Sequence, residues 1–203
     1  MVSQHRKLDE SVEPTRPANA IDDERILDAA YDLLLAVGAA RLNMADIARQ
    51  AGVSRATLYR RWPNVQAVLA ALVTREFGAV TGQLAVNAAN GRESVVGSVV
   101  GIVTALRVHP LVRKIVEVDP EFLIPYLLHR RGSSSQAQLA LIESGIRLGQ
   151  ADRSVRSGDA SLMAKAVMLC AWSFVLTGPV LVPKRHYRAL DAELSALIDR
   201  YLA

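Results

Sequence analysis

The segment from Asn43 to Pro63 constrains this chain more than any other. Asn43 can cap a short helix, with Asp46 three residues on in a capping-box-like position. Met44, Ile47, Ala48 and Ala51 recur at helical spacing and supply its buried face. Gly52 ends that helix, because glycine accepts a positive φ without steric cost. Val53 plugs the turn and Ser54 caps a third helix. Pro63 closes the third helix by pushing the residue before it away from helical geometry. Two short helices joined across a glycine and an apolar residue form a helix-turn-helix.

The rest of the chain reads as helix too. Of 203 residues, 51% are hydrophobic and 22% charged, which excludes a largely disordered chain. Ala and Leu dominate, and Gly and Pro number only 12 and 8, so the expected class is all-α. The first helix is expected from near Asp22, with Asp22, Asp23 and Glu24 at its positive end. Its apolar face is Ile26, Ala30, Leu33, Leu34 and Val37, and Gly38 stops it. A fourth helix runs from Asn64 to about Asn87. The next spans Ser94 to Val108, where Gly97 and Gly101 are spaced for close approach by another helix. His109-Pro110, Asp119-Pro120 and Pro125 cut short helices, and residues 130–135 read as a polar linker. Gln136 to Leu148 is amphipathic, Asp159 caps an apolar helix, and Tyr187 to Leu202 is the last helix. Residues 1–20 carry mixed charge and no apolar run, and are read as a flexible arm without a signal peptide.

Chemistry-bearing motifs are scarce. The lone Cys170 excludes an intrachain disulfide framework and a cysteine zinc cluster, and fits a reducing cytoplasm. His5, His109, His129 and His186 have no metal-ligand spacing. There is no nucleophile elbow and no phosphate-binding glycine loop, so neither enzyme chemistry nor a metal or cofactor is expected.

The charges concentrate where the turn is. Arg41, Arg49, Arg55, Arg60 and Arg61 face only Asp46 within residues 41–62. Clustered arginine is the footprint of a protein that meets a phosphate backbone. With Val53 and Leu58 turned inward, Arg55, Ala56, Thr57, Tyr59 and Arg60 lie outside on a helix that a major groove can accept. Arginine pairs with guanine edges, threonine meets a base or the thymine methyl, and alanine leaves room for approach. Tyr59 and Arg61 are placed for phosphates.

Residues Arg25 to Leu72 resemble the DNA-binding domain of TetR-family transcriptional regulators. The resemblance rests on Ile47-Ala48, Ala51-Gly52-Val53-Ser54, Thr57-Leu58-Tyr59, Arg61-Trp62 and Asn64. The stretch from Leu148-Gly149-Gln150 to Asp159 more weakly resembles the loop before the family's penultimate helix. The resemblance implies a homodimer in which a three-helix domain, residues 21–66, binds a palindromic operator. A larger helical domain, residues 67–203, then dimerises and binds a small-molecule effector that releases the DNA. The implied DNA-binding set is Asn43, Arg55, Ala56, Thr57, Tyr59, Arg60 and Arg61. Two positions depart from the family's pattern, Ala56 where glycine is common and Val65 where a phosphate-binding lysine is common. Arg60 and Arg61 are the candidates to replace that contact.

Residues 166–182 carry no charge, so a membrane-associated helical protein is the first alternative reading, and a small-molecule enzyme the second. The apolar helix has too many hydrophobic sides for a monomer surface. Leu162, Ala166, Leu169, Ser173 and Leu176 form one stripe; Met163, Val167, Cys170 and Phe174 form another. One stripe is expected to line a pocket and the other to meet a partner subunit. The candidate dimer interface is the first stripe with Leu190, Leu194, Leu197 and Ile198 of the last helix. Arg107, His109, Phe122, Tyr126, His129, Met168 and Trp172 are the candidate effector contacts, suiting a hydrophobic or amphipathic molecule.

Overall fold

The computed structural model describes residues 18–83, 88–123 and 133–203. Ten helices and no strand are found among them. They are α1 (Ala18–Val37), α2 (Met44–Ala51), α3 (Arg55–Arg61), α4 (Val65–Gly82), α5 (Gly91–Val108), α6 (Pro110–Val118), α7 (Ser133–Ala151), α8 (Ala160–Leu176), the single turn α9 (Gly178–Leu181) and α10 (Tyr187–Leu202).

Side-chain caps set the starts. The Asn43 carboxamide accepts from the Asp46 amide at 2.9 Å, and Ser54 Oγ from Thr57 N at 3.0 Å. Asn64, Asn90 and Asp159 do the same for α4, α5 and α8. Three boundaries differ from expectation. Helix α1 starts four residues before Asp22, leaving no acid in its first turn. Helix α7 starts at Ser133, so residues 133–135 are helix rather than linker, and it continues through Gly149. Helix α5 starts at Gly91. The 1–17 part of the arm and the expected end of α4 near Asn87 lie outside the described residues.

Two cores form. The first joins Ile26, Ala30 and Leu34 of α1 to Ile47 and Ala48 of α2, Leu58 of α3, and Val68, Leu69 and Leu72 of α4. Val37 lies outside it, exposed at the end of α1. The second core is built from α5, α8 and α10, with Ile146 of α7 and Phe77 of α4. Helix α5 crosses α7 closely at Gly91, where a Cβ would run into the backbone of Gly149. A Cβ on Gly145 would sit 2.6 Å from Val95 Cγ2.

Helix α6 belongs to both cores. Leu111 and Ile115 pack into the first and Val112 into the second. At its end the buried Asp119 accepts a hydrogen bond from the Ala39 amide, 2.6 Å away, in the turn after α1. Gly38 leads into that turn at φ 86°, and a Cβ there would lie 2.6 Å from Asp119 Oδ2. Asp119→Ala should therefore strand a buried N–H and lower stability by about 1–3 kcal/mol in urea unfolding.

His109 sits half-buried at the α5–α6 junction, its Nε2 3.5 Å from Glu76 of α4. Burial pushes its pKa below the usual value, and Glu76 only partly opposes this. The unfolded chain then takes up this proton first as pH falls below about 6.5. Stability should drop from there down through the lower folded pKa, and His109→Gln should flatten that part of a urea-midpoint profile.

Candidate nucleic-acid interface

The turn between α2 and α3 positions the site. Gly52 adopts φ 65°, and the Val53 amide donates back to the Ala48 carbonyl at 3.0 Å, closing α2 in a Schellman-type turn. From α1, the Arg25 guanidinium donates to the Ala51 carbonyl at 2.9 Å. Leu58 is fully buried and fixes the roll of α3. With that roll set, Arg55, Ala56, Tyr59 and Arg60 are exposed. Thr57 is half-buried, its hydroxyl 2.9 Å from Ser54 Oγ.

The arginines divide into two groups. Arg49 pairs with Asp46 at 2.7 Å. Arg61 pairs with Asp23 of α1, and its side chain is only 16% exposed. The expectation that Arg61 meets phosphate is therefore corrected, because its guanidinium is held against α1. Arg41, Arg55 and Arg60 have no carboxylate partner among the described residues and keep their charge facing outward. Asn43 is exposed but spends its side chain on Asp46, accepting from the amide and donating to the carboxylate. Asn43 and Tyr59 line one groove together with Pro63, Asn64 and Gln66. Sequence reasoning missed Gln66. Asn64 was the signal, since it caps α4 and so places Gln66 in the first turn, beside this groove.

The other candidates separate. Met168 and Trp172 line a cavity of about 190 Å³ between α5, α7 and α8, together with Ser98, Val99, Ile102 and Leu141. Trp172 also packs against Phe77, with ring centroids 5.9 Å apart. Arg107 is not in that cavity. It is 1% exposed, donates to Asp191 of α10 at 2.6 Å and to the Phe174 carbonyl at 3.2 Å, and lies over the Tyr187 ring. His109 is likewise turned to Glu76. Tyr126, His129 and the side chain of Phe122 lie outside the described residues.

Helix α8 has three faces rather than two. Met163 and Val167 are core, and Cys170 and Phe174 pack beside them; burial pushes the Cys170 thiol pKa up. Met168, Ala171, Trp172 and Val175 face the cavity. Leu162 and Leu169 stand 63% and 70% exposed, with Ser173 exposed and Ala166 half-buried between them. Two members of the expected interface are corrected, because Leu194 and Ile198 are buried in the chain's own core. Leu176 and Leu190 are half-buried, Leu176 against that core and Leu190 beside Gly178, whereas Leu197 is exposed.

Among the described residues no single helix is long and apolar enough to cross a membrane. Helices α5 and α6 would suffice only as a pair, and they are bent by 59°. Residues 166–182 do not form one span, since α8 ends at Leu176 before Gly178.

The sequence pattern described as "Bacterial regulatory proteins, tetR family" matches residues 26–72, the first core with its turn. An HTH-type transcriptional regulator of Mycobacterium bovis is 33% identical over 178 residues, covering 88% of this chain and 93% of that protein. The chain belongs to the TetR family. It is a transcriptional regulator and not an enzyme. The fold agrees across greater distance. The fatty acid degradation regulator FadR from Bacillus halodurans superposes with TM-score 0.63 at 16% identity, over 94% of this chain and 97% of that one. RolR in complex with resorcinol superposes with TM-score 0.66 at 14% identity, over 91% and 89%.

The two arginines at the end of α3 are expected to separate in experiment. Arg60→Ala should leave stability unchanged and reduce the salt dependence of DNA binding by about 0.9 in slope, one phosphate contact. Arg61→Ala should keep that slope and lower stability by about 1 kcal/mol through loss of the Asp23 pair. Salt titrations by fluorescence anisotropy and thermal unfolding read the two effects.

Proposed function

We propose that this TetR-family regulator is a repressor that binds a palindromic operator as a homodimer and is released by a small hydrophobic or amphipathic effector. The observation that carries the DNA reading is the outward face of α3, with Arg55 and Arg60 exposed and without a carboxylate partner among the described residues while Leu58 anchors the helix. In this reading Arg55, Ala56 and Thr57 meet base edges, and Tyr59, Arg60 and Asn43 position the backbone. The protein acts in the cytoplasm, where its operator is.

Dimerisation is supported by the uncovered apolar face of α8, Leu162 and Leu169, and by the exposed Leu197 of α10, a helix that packs against α8. Two helices from each subunit would pack as a four-helix interface. A two-fold dimer presents two copies of α3 to half-sites a helical turn, or a multiple of it, apart.

The cavity supplies the effector site, and the resorcinol found in RolR is in keeping with a small ligand in this fold. Its wall α5 leads through His109 into α6, which packs on the first core and holds the α1–α2 turn through Asp119. An effector that binds more tightly to a conformer with displaced α6 would change the spacing of the two α3 helices. An effector with equal affinity for both conformers would shift nothing.

Footprinting on the DNA flanking its own gene tests the operator reading, with a two-fold symmetric protected site as the expected result. In sedimentation the protein should run near twice the monomer mass. Leu162→Glu with Leu169→Glu should give a folded monomer with greatly weakened operator binding. A monomeric wild-type protein at micromolar concentration overturns the dimer.

A further inference from the structure

The cavity between α5, α7 and α8 has one end richer in hydroxyl groups than the other. Helices α5 and α7 run antiparallel, since Gly91 meets Gly149 and Val95 meets Gly145. Ser94, Ser98 and Ser144 therefore lie toward the Gly91 side of the lining, whereas Ile102, Leu106, Trp172 and Val175 lie toward the other. Gln138, which this register sets opposite Ile102, is the polar residue of the other end. Among the described residues no charged side chain lines the cavity.

The arginines on the surrounding helices are paired away from the cavity, and Lys165 of α8, one turn before Met168, is exposed and outside the lining. Arg92 pairs with Asp199, Arg107 with Asp191, and Arg147 with Glu143. Glu93 closes the cap of α5 by accepting from Asn90 and from the Ala89 amide. An ion entering this space would shed its hydration and meet no opposite charge on the lining among the described residues. A neutral hydroxyl or carbonyl would meet hydroxyl groups able to donate and accept.

We propose that the ligand of this cavity is electrically neutral, a hydrocarbon or aromatic body carrying at most a hydroxyl or carbonyl group; its regulatory meaning rests on the cavity being the effector site. At about 190 Å³ the space is somewhat larger than an apolar cavity of roughly 150 Å³ that holds benzene, which sets the body at on the order of six to ten carbons.

Three probes of one length and different charge test this on the full chain by isothermal titration at neutral pH: 1-octanol, octanoate and octylammonium. Octanol should bind at least roughly tenfold more tightly than either ion. Ala171→Trp, which fills the lining, should remove octanol binding, with circular dichroism checking the fold. Ser98→Lys places a cation in the wall and should reverse the order in favour of octanoate, a result that simple misfolding does not produce.

Either ion binding the wild-type protein as tightly as octanol overturns the proposal. So does absence of octanol binding, or octanol binding that survives in folded Ala171→Trp. Operator release, read separately by anisotropy, distinguishes the cavity chemistry from the effector role. Octanol that binds without releasing DNA removes the effector role and leaves the cavity chemistry standing. Octanoate that binds tightest and releases DNA does the opposite.

Discussion

The left-handed turn at Gly52 is the constraint on which the whole outward face of α3 depends. It fixes where α3 leaves α2, and three bonds hold it there. The Val53 and Gly52 amides close on the last turn of α2, and Arg25 reaches from α1 to the Ala51 carbonyl. The Arg25 guanidinium lies 3.0 Å from where a Cβ on residue 52 would stand, so a larger residue would be strained by the positive φ and would press on that guanidinium. Everything outward on α3 depends on this exit angle together with the burial of Leu58.

The molecule separates its charges by task. Arg25, Arg61 and Arg107 are consumed in holding helices to one another, each bonded across a long stretch of chain. Arg55 and Arg60 stand on the surface with no carboxylate partner among the described residues. The ligand-sized cavity is surrounded by helices whose ion pairs face elsewhere. A single residue type thus serves as a tie between helices in one place and an outward-facing charge in another, and whether a partner on a neighbouring helix lies within reach decides which.

That division explains which parts of the fold could be read from sequence. Caps are local, so Asn43, Ser54, Asn64 and Asp159 were legible, as was the glycine stop at Gly52. The matching face Met44, Ile47, Ala48 and Ala51 was legible because one helical period determines it. Arg61 was not, since its partner Asp23 lies on another helix 38 residues away. Arg107 misled for the same reason, its charge answered by Asp191 rather than by a ligand. On α10, periodicity placed Leu194, Leu197 and Ile198 on apolar faces but could not say which faces the chain itself covers. Tertiary packing took Leu194 and Ile198 and left Leu197 outside.

The contact of Asp119 with the turn after Gly38 has a mechanical consequence. Its carboxylate fills the volume that glycine leaves open and meets an amide buried with it. If α6 slides, it must either drag the corner of the DNA-binding domain along or abandon two polar groups in an apolar seam. Even a small displacement of α6 is therefore opposed at this joint by a buried hydrogen bond and a filled volume together.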